Sequence, residues 1–387
     1  AGGGTFTRLA ERRLDRSFPG NPQGLGKMNV VIVMNESFGA EFSKLYGSEQ
    51  DLTPNFDRYA QQGIWFSNAY SSGTRTVRGL EAITSSFPPT PSESIVRRPG
   101  NDDVGTIGKV LRQAGYHTSF LYGGYGYFDN MNAYFDANRY QVVDRTSIPN
   151  DAVVFENAWG VADEVLFDQA LVSLDRAHAD GKPFFAHIMT TSNHRPYTYP
   201  DGRIDIPSPG GRDGAVKYTD YAIGRFLDQA ATRPWFRDTL FVVVADHCAS
   251  AGGRVKLPVY NYHIPAILYA PALIRPGRYA PIASQIDLAP TLLQLMGLPG
   301  ADRFFGQPLF DAPPPDRALI SNHQELGLYR DHRLTVLAPK QRTEAYGIDP
   351  DTFEAFTTPP RPGDVDQAVA WYQTASRAFA MGALKMR

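Results

Sequence analysis

From Met28 onward, short apolar runs alternate with amphipathic stretches. The runs NVVIVM (29–34) and FVVVA (241–245) are far shorter than the ~20 residues of a membrane span. Their Val/Ile content predicts strands buried on both faces of a parallel sheet, over Met28–Met34 and Thr239–Ala245. Further strands are predicted at Ile64–Tyr70, His117–Tyr122, Pro183–Met189 and Ile264–Tyr269. Helical spacing predicts helices over Asn55–Gln62, Val77–Ser85, Thr106–Ala114, Ala162–Ala177, Val216–Ala231 and Leu288–Met296, with Gly115 and Gly297 as stop signals. Strands alternating with helices imply an α/β fold, a mostly parallel sheet sandwiched by helices. Beyond about residue 300 the rhythm weakens, and prolines cluster at 313–315 and 359–362. Residues 301–387 read as a small C-terminal α+β subdomain with two or three short strands and a final helix near Gln367–Ala380. Residues 1–27 are polar, basic and Gly-rich and read as a linker or loosely packed arm, which leaves 28–300 as the main domain.

Composition narrows the function classes. The chain has 387 residues, 42 % hydrophobic and 20 % charged, as expected of a packed globular protein. A net charge of −2 gives no basic footprint, so a nucleic-acid partner is not expected. The single cysteine, Cys248, permits neither an internal disulfide nor a Cys-based zinc site, and leaves the compartment open.

In open α/β sheets, ligands sit outside the carboxyl ends of the strands. Glu36 follows the first predicted strand, and Asp246-His247 follows FVVVA. Asn193-His194 follows Pro183–Met189, and Thr76 follows the second strand after a Gly-containing loop. Asp-His at a strand end is a common way to hold a divalent cation, and Glu36 doubles that signal. Each alone is also explained as turn chemistry, with Asp246 a cap and Ser37 an N-cap. Thr76 stands at the start of a predicted helix, where the dipole and free N–H groups suit a phosphate or a developing alkoxide. Arg75 and Arg78 flank it and could neutralise phosphate oxygens. The competing reading makes Thr74 or Thr76 a simple N-cap. His194 is a candidate general acid or substrate ligand. The aromatic, Gly-rich stretch 122–131 offers Phe128, Asp129 and Asn130 as pocket residues, and His263 is a weaker candidate for the same rim.

These segments resemble a known group of enzymes. Thr53-Pro54-Asn55 with Asp57, Gly63 and Phe66 is similar to the segment after the first metal-ligand strand of sulfatases. Ser284, Ile286-Asp287-Leu288 and Pro290-Thr291-Leu292-Leu293, ending at Gly297, are similar to their late helix. With Asp246-His247 they mark the alkaline-phosphatase/sulfatase superfamily over about residues 28–300, the catalytic domain in this resemblance. Sulfatases proper carry a Cys or Ser that becomes formylglycine, and Cys248 stands elsewhere. The TRTVRG segment instead resembles the nucleophile region of lipoteichoic acid synthases and of periplasmic-glucan phosphoglycerol transferases.

That resemblance implies one divalent metal, Mn²⁺ first with Mg²⁺ or Zn²⁺ as alternatives, held by Glu36, Thr76, Asp246 and His247. It implies Thr76 as nucleophile and His194, with Asn193, as a substrate residue. The implied partners are an anionic phospholipid donor and a glucan or glycerol-phosphate acceptor. It also implies an extracytoplasmic location, with membrane anchoring through an N-terminal segment outside this sequence. Lipoteichoic acid synthases use a Trp and an Arg in the loop corresponding to 122–131. Here Phe128, Asp129, Asn130 and Met131 stand there without an Arg, so a differently built pocket is expected. Competing functions are a phosphodiesterase or phosphatase, a phosphoethanolamine transferase and a non-catalytic homologue. The single cysteine counts against the phosphoethanolamine transferases, which are usually disulfide-rich.

Overall fold

The computed structural model describes residues 25–250, 252–300, 304–310 and 315–386. Most of the arm expected over residues 1–27 lies outside these. The Val/Ile runs form the centre of an eight-stranded sheet in the order Gly277–Tyr279, Ile64–Phe66, Ala266–Tyr269, Thr239–Ala245, Asn29–Asn35, Phe184–Met189, His117–Tyr122, Gln141–Val143. Every strand runs parallel except Ala266–Tyr269. Alternate residues of the central strand serve opposite faces. Val30, Ile32 and Met34 pack with Leu80, Ile83 and Leu292, while Val31 and Val33 pack with Leu166, Phe226 and Leu227. Helices Thr76–Ser85 and Leu288–Leu295 therefore cover one face, and helices Asp163–Ala179 and Gly211–Ala230 the other.

Two predicted strands are each divided. Ile64–Tyr70 splits into Ile64–Phe66 in the main sheet and Ala69–Tyr70 in a second, three-stranded sheet. Ile264–Tyr269 splits in the same way, because Pro265 has no N–H for a ladder and its ring fixes the backbone turn. His263–Ile264 pairs with Ala69–Tyr70 while Ala266–Tyr269 stays in the main sheet. The third strand of the small sheet is Ala283–Ser284.

The C-terminal region holds more strands than the two or three expected. Ala318–Ser321, Leu326–Arg330, Arg333–Ala338, Arg342–Ile348 and Ala355–Thr357 form an antiparallel sheet of five, followed by helix Pro362–Ala380. Ile320, Tyr329 and Leu334 of this sheet pack on Tyr70, Leu257 and Tyr262. A buried Arg317–Asp287 ion pair, at 2.6 and 2.7 Å, fastens it to the late helix. Among the described residues no helix is long and apolar enough to cross a membrane.

One buried group gives the fold a pH dependence. His187 lies in strand Phe184–Met189, fully buried beside the stacked rings of Phe120 and Phe135, with both ring nitrogens unpartnered among the described residues. Burial pushes its pKa down from 6.5 to about 3. Between those values the unfolded chain binds a proton that the folded chain refuses, so stability falls as pH drops. His187→Leu removes that cost. Between about pH 7 and pH 5 the stability difference between variant and wild type should move by about 2 kcal/mol in the variant's favour, read by urea unfolding.

Candidate metal and phosphoryl-transfer site

Strand register assembles the site. Asn35 pairs with Ala245, and Met34 with Met189, so the three central strands end at one level. Two ladder bonds continue just beyond them, from Asp246 N–H to the Asn35 carbonyl (3.0 Å) and from Thr190 N–H to the Met34 carbonyl (3.1 Å). Glu36, Thr190 and Asp246 therefore stand side by side at the carboxyl edge. Helix Thr76–Ser85 points its first residue at them, and its Gly79 lets the helix lie on the backbone of Asp246. A Cβ there would meet the Asp246 carbonyl oxygen at 2.7 Å.

One donor atom each from Glu36, Asp246 and His247 lies within 4.8 Å of the others. Thr76 Oγ1 donates to Glu36 Oε2 at 3.1 Å, and Ser37 Oγ donates to Glu36 Oε1 at 2.8 Å. Asp246 Oδ1 accepts from the N–H groups of Ser37 (2.8 Å) and His247 (2.6 Å), while its buried Oδ2 has no hydrogen-bond partner among the described residues. His247 Nδ1 is 2.7 Å from the Cys248 carbonyl, which can only accept, so Nδ1 carries the proton in the neutral ring. The Nε2 lone pair then faces Asp246 Oδ2 at 3.3 Å and Glu36 Oε1 at 3.7 Å. A lone pair aimed at two carboxylates is repulsive unless a cation lies between them, either a metal ion or the proton that makes the ring an imidazolium. The orphaned Oδ2 and the oriented imidazole fit a divalent metal with oxygen and nitrogen ligands.

The electrostatics agree. Burial raises the Asp246 carboxyl well above its usual range, and the Glu36 charge raises it further. Burial also acts to raise Glu36, but the positive charge His247 carries as an imidazolium, the hydroxyls of Ser37 and Thr76 and the charge of His194 outweigh it and the net shift is down. Two adjacent buried carboxylates therefore cannot both ionise cheaply without a counter-charge.

Thr76 is not a helix cap. Arg75 occupies the N-cap position with extended backbone, and no side chain caps the helix. The Thr76 hydroxyl is bonded to Glu36 instead. It opens into a pocket of about 250 Å³ lined also by Arg75, Phe128, Asp129, Trp159 and His194. The His194 ring lies on Trp159 with centroids 3.6 Å apart, and Phe128 meets the same indole edge-on at 5.4 Å. Asp129 sits 3.5 Å from Arg97, and burial raises its pKa despite that neighbour and Arg75.

Four expected site residues are placed differently. Arg78 is buried beneath the helix, bonded to Glu81 (2.7 Å) and to the carbonyls of Thr90 and Ser92, and does not line this pocket. Asn130 adopts a left-handed backbone and spends its amide on the Val96 carbonyl. Asn193 is fully buried and donates to the carbonyls of Glu36 and Ser37, both at 3.0 Å, so its amide is spent on holding that turn. His263 is buried away from the rim. Its Nε2 bonds the Ser67 carbonyl at 2.9 Å, and its ring packs on Tyr70 and Phe353.

Sequence reasoning missed Trp159, which comes from the hairpin of Glu156–Asn157 and Gly160–Val161 and carries no motif. It also missed Thr190 and Thr191, which the strand-end rule could have found. The pocket does hold a Trp and an Arg, but they are Trp159 and Arg75, from other segments than 122–131.

The sulfatase family model matches residues 28–298. A phosphoglycerol transferase I of Xanthomonas campestris pv. campestris is 26 % identical over 315 residues, covering 74 % of this chain and 44 % of the relative. One from Salmonella arizonae is 25 % identical over 58 % of this chain and 31 % of the relative. The chain thus spans less than half the length of these curated relatives. A crystal structure of a protein in the alkaline phosphatase superfamily from Vibrio parahaemolyticus superposes with a TM-score of 0.92 at 34 % identity, covering 99 % of this chain and 96 % of that one. The lipoteichoic acid synthase LtaP from Listeria monocytogenes shares the fold, with a TM-score of 0.80 at 18 % identity over 96 % and 97 % of the two chains. A family match over most of the described chain, on a fold whose strand ends carry an acidic, imidazole-bearing cluster, shows that this protein belongs to the sulfatase family.

Proposed function

We propose that this chain is the catalytic part of a metal-dependent phosphoglycerol transferase. It moves glycerol phosphate from a phosphatidylglycerol-type lipid, through a Thr76-linked intermediate, to a hydroxyl-bearing acceptor at the outer face of the cytoplasmic membrane. The observation that carries this reading is the Thr76 hydroxyl, 3.1 Å from Glu36 at the edge of the ligand cluster and facing a pocket sized for a small head group. The names of the curated relatives point the same way.

Glu36, Asp246 and His247, with Thr76 Oγ1, would hold one divalent ion; oxygen donors with one imidazole suit Mn²⁺, Mg²⁺ and Zn²⁺ alike, and the resemblance to lipoteichoic acid synthases puts Mn²⁺ first. Such an ion lowers the pKa of a bound hydroxyl and offsets charge on phosphoryl oxygens. Thr76 Oγ1 attacks phosphorus as its proton passes to Glu36, its bonded partner, or to water; the P–O bond to diacylglycerol breaks, and the departing oxygen takes a proton from His194 or water. Arg75 and the free N–H groups of the first helical turn face the phosphoryl oxygens, where negative charge grows. Trp159 fixes the His194 ring by close tilted contact, and Asn193 and Ser37 hold Glu36 in place. In the second half-reaction an acceptor hydroxyl displaces Thr76.

Thr76 has no route to the formylglycine of sulfatases. The lone thiol of Cys248 is buried, bonded to the His263 carbonyl and raised in pKa by that burial. Phosphoryl transfer is therefore favoured over sulfate ester hydrolysis. With manganese present, the protein should release diacylglycerol from phosphatidylglycerol vesicles and leave aryl sulfates intact. Release from phosphatidylethanolamine instead would move the reading to a phosphoethanolamine transferase, and aryl sulfate turnover alone would contradict it.

A further inference from the structure

A second cavity, of about 620 Å³, opens on the other side of Thr74 and Arg75. The two cavities share these two residues, which immediately precede Thr76. One wall of the second is the segment Ser92–Ser94 with Arg97. The other is the turn Ser321–Glu325, contributed by the C-terminal sheet. Among the described residues lining it, Val77 is the one apolar residue.

The turn is a built element. Ser321 Oγ donates to the Ser72 carbonyl at 3.0 Å, tying the turn to the loop that leads into the nucleophile helix. Asn322 Oδ1 accepts from the N–H groups of Gln324 (2.8 Å) and Glu325 (2.7 Å), and its amide donates to the Lys256 carbonyl at 3.0 Å. These bonds leave His323 and Gln324 exposed at the rim. The charges that border the cleft are largely paired. Arg78 is paired with Glu81, Arg97 with Glu93 and Asp129, and Glu325 faces Lys256 at 3.9 Å. Arg75, shared with the first cavity, is the lining charge without an ion pair among the described residues, so the cleft offers many hydrogen-bonding groups and one cation at its phosphoryl end, which suits a chain of hydroxyls better than a polyanion.

We infer that this cleft is the acceptor subsite, and that the turn Ser321–Glu325 determines which hydroxyl-rich chain it takes. The inference rests on the transfer proposed above and adds the place and chemistry of the second substrate. In-line displacement puts both the departing lipid oxygen and the arriving hydroxyl on the face of phosphorus away from Thr76. The two partners use that position in turn, while the acceptor chain lies in the larger cleft. The acceptor oxygen bonds to phosphorus as the Thr76 Oγ1–P bond breaks, and the acceptor proton ends on Thr76. The C-terminal sheet thereby becomes part of the active enzyme.

Two acceptor sources share this chemistry, a neutral glycan and a poly(glycerol phosphate) chain. A short neutral glucose oligomer and a short glycerol phosphate oligomer are each titrated calorimetrically into the full chain and into Gln324→Trp, which fills the cleft from an exposed turn position. Binding of the glucose oligomer should weaken by about tenfold or more in the variant. In turnover the KM for that acceptor should rise similarly, while the KM for the lipid stays within about twofold. The same pattern with only the glycerol phosphate oligomer would keep the subsite and assign the charged source. Equal binding of both oligomers to wild type and variant, or an unchanged acceptor KM, would overturn the inference. A wild-type protein that forms no Thr76 adduct but loses oligomer binding on Gln324→Trp would sink the transfer chemistry and leave the cleft as a glycan or polyol site.

Discussion

Thr76→Ala should lower diacylglycerol release on the order of 10⁵-fold while the protein stays folded, because no other hydroxyl occupies its place as nucleophile. Thr76 is the first residue of its helix, and its hydroxyl donates its one proton to Glu36. Its loss removes one hydrogen bond at a half-buried edge, about 1 kcal/mol of stability. The variant keeps Glu36, Asp246 and His247, so the thermal shift on adding manganese should persist in reduced form. Thr76→Ser keeps the oxygen and should retain measurable turnover. Residual activity above about a hundredth of wild type in Thr76→Ala would point to water as the attacking group, and so to a phosphodiesterase.

Asp246→Asn should separate metal binding from folding even more sharply. Asp246 is fully buried, its Oδ2 has no hydrogen-bond partner among the described residues, and its carboxyl is pushed up by burial and by Glu36. In the metal-free protein the amide relieves a like-charge contact, so unfolding resistance should hold or rise. With a metal at a hundred times its dissociation constant, wild type should gain about 2.7 kcal/mol and the variant almost nothing. Turnover should fall by at least about 10³-fold. A variant that still shows the full metal-dependent thermal shift would place the ion elsewhere.

The strands and the strand-end residues were legible because parallel-sheet burial writes long Val/Ile runs, and because the candidate site residues follow those runs directly. Glu36 and Asp246-His247 could be read for that reason. The position of the side chains around Thr76 was not legible. Arg75 and Arg78 look alike in sequence, yet the helix start sends Arg75 outward as the N-cap and turns Arg78 down onto Glu81. Asn193 and His194 are neighbours that face opposite ways, one into the Glu36 turn and one onto Trp159. Trp159 reaches the pocket by tertiary packing of a two-residue-strand hairpin, which leaves no periodic signal. The split at Pro265 was visible as a residue but not as a sheet switch, since pairing with Ala69–Tyr70 is a long-range choice. The five C-terminal strands are short and mixed in polarity, and alternation over so few residues is weak.

The most direct test is the intact mass of the protein after incubation with manganese and phosphatidylglycerol in the absence of acceptor. The account predicts a gain of one glycerol phosphate, mapped by fragmentation to Thr76 and absent from Thr76→Ala. Diacylglycerol release without any adduct on the chain, under conditions that trap the intermediate, would contradict it.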